Sequence, residues 1–486
     1  MDNKGATAAD SLLSQEHRLG EIAAIWSPPV TYPPTASVEG HVQVLADEEQ
    51  VLGDEEEGHE ENEKEDAAAL ASVTTSIVTL VNTIVGGGTL AMAYACRLCG
   101  IGVFLGLMLV VALASHVAVR LLFKAVKMLG VRRPRYPTLG ATTYGKCGEL
   151  ACALAITLQQ LGACIAYVVI MADLATPILA SVAGTDSILA QRWFLQVTMM
   201  SAIVFPLCLL PSLKSLRYAS ILSIGLILFT ALTIMVYAVI SGINDRQHDE
   251  SRSAALRLVP EGASFLSALP ILSFAFLCHQ QTFPIYKELQ RPSPRRMNMV
   301  SRRAILICAS IYLVCGLSGY TIFRDSTADD IFKNFAVRSS SAVSVIMNIV
   351  RLGFCVSIVL SYPLMVWEAR HNIDVLAFGK KRQFDVRRFF MLNVLIVCFT
   401  TTLAIFAGHI NIILELVGAT CSPLIMYIFP ALFYLKVDKN GNDRVAARVL
   451  LLAGMVLIPL CVSFWAIKHV LCPNQQLSKN ICESLL

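Results

Sequence analysis

Charge is what this sequence has least of. Asp, Glu, Lys and Arg make up 15% of its 486 residues, against about 25% in soluble chains. With 55% hydrophobic residues and a mean hydropathy of +0.62, there is too little polar surface to cover a soluble body of this size. Several signatures are also missing. Residues 1–20 are polar and mixed in charge, without the apolar core of a cleaved leader. No paired Cys-x-x-Cys motifs suggest a zinc site. Gly-x-x-x-x-Gly-Lys-Ser/Thr is absent, which excludes a P-loop ATP motor. Beyond His279 no paired catalytic groups stand out, so no enzyme, cofactor, metal site or nucleic-acid partner is expected.

What is present is apolar sequence in long runs. Thirteen of the fifteen cysteines lie in or beside such runs, where Cys acts as a small hydrophobe. Residues 1–69 are different: Pro28, Pro29, Pro33 and Pro34 stiffen one part, and Asp47 to Asp66 holds twelve acidic residues. A segment this polar cannot bury enough surface to fold alone, so it is expected to be a disordered acidic tail.

Beyond Ala68, eleven runs reach roughly the 17–25 residues that a bilayer crossing needs. They centre on residues 71–96, 100–123, 148–173, 193–212, 216–241, 262–286, 303–324, 341–367, 389–408, 410–436 and 446–468. Only Gly408-His409 separates the ninth from the tenth. Loops from even to odd spans hold 24 Lys and Arg, and the alternate loops with the C-terminal tail hold 10. Because basic loops stay in the cytoplasm, the acidic tail is predicted inside and residues 471–486 outside. Cys472 and Cys482 would then lie where a disulfide is chemically allowed. Residues 70–470 form the predicted membrane domain.

Two spans are interrupted. The first carries Asn82-Thr83 followed by Gly86-Gly87-Gly88, and each glycine costs roughly 1 kcal/mol in a helix interior. A membrane tolerates such backbone only where it lines a cavity or is buried in protein. The sixth has Pro270 and Pro284 bracketing Ser273, His279, Gln280, Gln281 and Thr282, and each proline disturbs helical hydrogen bonding. Breaks five spans apart are the pattern of an inverted five-plus-five repeat with a midplane site.

Cys278-His279 followed by Pro284-Ile285-Tyr286-Lys287-Glu288-Leu289 resembles the sixth-helix signature of the amino acid/auxin permease family. Asn82 to Leu90 resembles its first-helix motif, Ile156 to Gly162 its third, and Val417 to Pro423 running on to Leu435 its tenth. The resemblance spans about residues 70–470 and is nearest to the sodium-coupled neutral amino-acid (system A and N) branch. The acidic tail and the length are also similar to amino-acid permeases of trypanosomatid protists. The resemblance implies an all-α, leucine-transporter-like membrane fold with eleven transmembrane helices. It also implies secondary transport of amino acids, in the plasma membrane.

Amide N–H groups freed at Gly86, Gly87 and Gly88 suit a substrate carboxylate, although small residues also serve close helix packing. Carbonyls around Ser273 to Phe276 suit its ammonium, and Phe274 and Phe276 are candidate gates. By resemblance, Asn82 faces Ser357 and Ser361 of span eight as an oxygen-rich seat for Na+, with H+ as the other candidate coupling cation. Glu415 is the candidate counter-charge for a basic side chain such as arginine or lysine; otherwise it pairs with Arg351 or snorkels near the outer surface. His279 reads as a proton relay or a hydrogen-bonded structural residue. Gln159 and Gln160 are polar enough to touch substrate, with one of them expected to face a neighbouring helix. Glu149, Glu368 and Arg370 read as interfacial or inner-gate charges. The sequence leads to a cation-coupled amino-acid permease, with an amino-acid-sensing receptor on the same fold as the alternative. Oligomeric state is left open.

Overall fold

The computed structural model describes residues 71–131, 134–184, 186–210, 216–248, 256–338, 341–379, 385–407 and 409–471. The acidic tail and the Cys472 and Cys482 pair lie outside the described residues. The principal helices are α1 (Val73–Ile84), α2 (Met92–Leu129), α3 (Tyr136–Ala183), α4 (Arg192–Cys208), α5 (Leu216–His248), α6 (Phe265–Ala275) and α7 (Thr282–Glu288). They continue with α8 (Pro294–Phe323), α9 (Ile331–Arg338), α10 (Ser341–Phe378), α11 (Val386–Ala407), α12 (Ile410–Val437) and α13 (Arg444–Ala466). Among the described residues, eight helices are long and apolar enough to cross a membrane, and α1, α4 and α6 are shorter apolar helices.

One of the eight, Gly87–Leu129, runs 43 residues, about twice what one crossing needs. It turns at Gly100, whose φ of +69° is left-handed. A β-carbon there would also lie 2.7 Å from the Val259 amide nitrogen, so both conformation and space require glycine. Helix α3 begins earlier than the apolar run, at Tyr136, and bends at Gly145. Tyr136 is buried and donates to the Ile425 carbonyl at 2.9 Å, an anchor that hydropathy does not reveal. The boundary between the ninth and tenth runs falls where helix α11 ends at Ala407 and α12 starts at Ile410.

Helix α10 packs chiefly on α3, α8 on α2, and α6 on α12. Helix α1 lies on α8 and α5. Its entry is fixed by Ser72, whose side chain accepts from the Thr75 amide at 3.2 Å, satisfying one of the unpaired donors of a helix start. Just before it, the Ala71 amide donates to the Glu288 carbonyl at 2.7 Å and the Gln290 amide to the Ala71 carbonyl at 2.9 Å. These two bonds tie the start of α1 to the end of α7. Apolar side chains such as Phe406, 81% exposed, with Leu109 and Met455, face outward, as a lipid-facing surface requires.

Candidate functional site

The two interruptions meet across a small volume. Helix α1 stops at Ile84, Val85 and Gly86 leave helical geometry, and a tight turn over Gly87–Ala91 leads into α2. The glycines are needed first for approach. A β-carbon on Gly86 would stand 2.7 Å from the Tyr167 hydroxyl, one on Gly87 2.5 Å from Ile170, and one on Gly88 3.0 Å from the Ala275 side chain. Close packing against α3 and α6 is therefore a sufficient reason for all three, and the same residues also line a cavity. At the second interruption, α6 ends at Ala275 and α7 begins at Thr282. Pro284 falls in the first turn of α7, where a missing N–H costs nothing.

One side chain joins the two breaks. Tyr312 of α8 directs its hydroxyl at the Ile84 carbonyl (2.6 Å) and the Ala275 carbonyl (3.0 Å), the last helical residue on each side. A hydroxyl has one proton, so the two acceptors share it. Ser115 donates to the Phe276 carbonyl at 3.1 Å. Carbonyls that the sequence assigns to a substrate ammonium thus already have hydroxyl partners, though each oxygen keeps a second lone pair.

The cavity between the breaks is narrow, ≈ 40 Å³, space for about three water molecules. Gly86, Gly87, Gly88 and Phe274 line it, and four glutamines, Gln159, Gln160, Gln280 and Gln281, supply most of its polar wall. Gln280 donates to the Gln160 side-chain oxygen at 3.1 Å, and Ser422 donates to Gln159 at 3.1 Å. Both Gln159 and Gln160 reach the cavity, where the sequence leads one to expect only one. Gln160 and Gln281 also donate to one oxygen of Glu368 from α10, the latter at 2.7 Å.

Other predicted residues stand elsewhere. Ser273 faces Tyr427 at 3.4 Å, and Phe276 is fully buried edge-on against Tyr312, so neither lines the cavity. Asn82 is buried with its side-chain oxygen unpartnered. Ser357 hydrogen-bonds the Ser223 hydroxyl of α5, and Ser361 donates to the Ser357 carbonyl at 2.9 Å. No hydrogen bond joins Asn82 to either serine among the described residues. Glu415 does not pair with Arg351. It lies away from the cavity, bonded to Lys468 at 2.8 Å and His469 at 3.1 Å, and Lys468 also donates to Ser267 at 3.0 Å. Arg351 donates instead to Asn348 and to the Phe332 carbonyl. His279 is fully buried, and neither ring nitrogen has a hydrogen-bond partner, which differs from the hydrogen-bonded residue expected.

Over residues 70–471 the sequence matches the family described as "Transmembrane amino acid transporter protein". The chain belongs to that family. Two solved transporters share its fold. Mhp1, a nucleobase-cation-symport-1 family transporter in a closed conformation with bromovinylhydantoin bound, is 13% identical, with a TM-score of 0.56 over 86% of this chain and 97% of its own. MhsT in complex with L-phenylalanine is 12% identical, with a TM-score of 0.52 over 80% of this chain and 99% of its own. The likeness shows a leucine-transporter-like fold. In this transporter, sequence reasoning missed Tyr312 and Tyr167, and it did not foresee that Glu368 bonds two cavity-lining glutamines. Tyr312 carried a faint signal, since a phenol inside an apolar span needs a polar partner and two helix breaks offer free carbonyls.

Proposed function

We propose that the transporter is a cation-coupled symporter of L-amino acids, neutral or basic, working by alternating access. The observation that carries this reading is the convergence of two interrupted helices on one glutamine-lined cavity. Backbone N–H groups at Gly87 and Gly88 open the 43-residue helix and present its positive end to a substrate carboxylate. The ammonium takes the remaining lone pairs of the Ile84 and Ala275 carbonyls. Phe274 closes over the ligand, while Ser273 and Phe276 support that wall from behind. Eleven crossings in a five-plus-five inverted repeat, with the acidic tail cytoplasmic and the far end outside, agree with the distribution of Lys and Arg. The plasma membrane is the expected location.

The tie between Ala71 and residues 288–290 makes α1 and α7 swing together as the inner halves of the two broken helices. When α1 swings toward α10, Asn82 with Ser357 and Ser361 becomes the seat for Na+ or H+, and the unpartnered Asn82 oxygen gains a ligand. Uptake of labelled amino acids into proteoliposomes tests the reading. Replacing external sodium by choline at fixed pH should lower uptake if Na+ is the driver, and an imposed proton gradient should raise it if H+ is. Amino-acid binding without uptake under any gradient would overturn transport in favour of sensing.

A further inference from the structure

We infer that Glu368, not Glu415, is the carboxylate that reads the substrate's side chain, and that it selects amino acids ending in a cation. This deepens the reading of the same cavity given above and rests on it. Among the described residues, Glu368 is the one acid bonded to side chains that line the cavity, through Gln160 and Gln281. It stands one helical turn from Met365, which forms part of the cavity wall on the same helix, so both side chains lie on one face of α10. An acid inside a membrane domain is costly unless it acquires a partner. Here the nearest partners are neutral amides.

The surrounding groups favour a cation with several donors over a bare proton. Both amide N–H groups converge on a single carboxylate oxygen, which holds the acid in place as an acceptor. Beside them the Gln280 side-chain oxygen is buried without a partner. A lysine ammonium presents three donors and an arginine guanidinium five. Either satisfies the carboxylate and the Gln280 oxygen together, whereas one proton satisfies only one of them. Two arginines lie on the elements packed around Glu368. Arg135, at the start of α3, attracts it and contacts His371 at 2.6 Å, while Arg370 is turned to Asn393 of α11 at 3.1 Å.

Uptake of labelled lysine and leucine by the purified full-length protein in proteoliposomes provides the test. The wild type should take up both, and Glu368→Gln should lower the lysine-to-leucine ratio by about tenfold to a hundredfold, the loss of one or two charge-assisted bonds. Glu368→Asp should recover part of that ratio. Gln280→Met, which leaves the carboxylate in place, should lower the ratio in the same direction, and it decides the matter if Glu368→Gln fails to fold. Wild-type uptake of leucine without lysine would overturn this inference and leave the proposed function standing. Absence of uptake for every amino acid would overturn the function itself. Equal loss of lysine and leucine in these variants would make the residues structural. Loss of gradient-driven uptake with counterflow of both substrates intact would make Glu368 a proton carrier, and either result overturns the inference.

Discussion

Glu415 and Glu368 are both carboxylates set in apolar helices, and they are handled in opposite ways. Glu415 is 1% exposed and engages one basic side chain with each oxygen, Lys468 and His469 from the last helical segment among the described residues. Through Lys468 it also reaches Ser267, so a single acid fastens α6, α12 and the extension of α13 to one another. Glu368 has two glutamine amides and sits beside a cavity. The first arrangement is electrically closed and serves as a fastening. The second presents only neutral amide donors to its carboxylate, the arrangement on which the proposed cation site rests. Counting acids in spans does not separate these two situations, because the partners come from helices distant in sequence.

The comparison breaks first if the cavity is not the working site. Gly87→Leu should abolish uptake, since even a β-carbon there already meets Ile170 at 2.5 Å. Normal uptake in that variant would remove the cavity from the mechanism. Gly87→Ala with Ile170→Ala then separates packing from ligand contact: recovered uptake assigns the glycine to packing, and continued loss assigns it to the ligand. Next in size is the fastening. Glu415→Ala leaves the Lys468 ammonium and the His469 ring without their carboxylate and should cost about 3–5 kcal/mol of stability, read as a lower unfolding temperature in detergent. Its lysine-to-leucine uptake ratio should match the wild type, and a selective loss of lysine would merge the two acids into one role.

Another carboxylate, fully buried, sharpens the contrast from outside the spans. Asp330 precedes α9, is fully buried, and has one oxygen without a partner. Burial first, then the neighbouring Asp173, pushes its carboxyl from 3.8 up to about 7. The folded protein therefore holds this proton more tightly than the unfolded chain. The stabilisation is complete below about pH 3.8 and is lost as the pH rises through about 7. The unfolding temperature should be higher at pH 5.5 than at pH 8, and Asp330→Asn should flatten that difference. An unchanged pH response would show that the acid is paired in solution. The smallest change expected is Tyr312→Phe, which removes the donor shared by both helix breaks and should cost about 1–3 kcal/mol. A neutral result in thermal unfolding would mean that the breaks are held by packing alone.

Much of the fold was legible in the sequence, because apolar runs are local properties of composition. The interruptions at Asn82 to Gly88 and between Pro270 and Pro284 could be seen as well, since glycine and proline act on their own backbone. The purpose of each residue near them was less legible. Three glycines look the same whether a ligand or a tyrosine comes close, and here Tyr167, Ile170 and Ala275 are the near neighbours. Ser273 and Phe276 belong to the right turn of chain but face Tyr427 and Tyr312 instead of the cavity.

By itself, the sequence determined that this chain is a helical membrane transporter of amino-acid type, and where two of its helices are interrupted. Hydropathy and helix-breaking residues act within a few positions along the chain, so no tertiary information was needed. Only the tertiary structure decided which acid bonds the cavity-lining glutamines, which oxygens remain unpartnered, and that Tyr312 joins the two breaks. Those outcomes depend on contacts between residues such as Gln160 and Glu368, 208 positions apart, or Ile84 and Tyr312, 228 apart. A polar group buried among helices takes the partner that packing brings within hydrogen-bond reach, and no spacing along one chain encodes that choice.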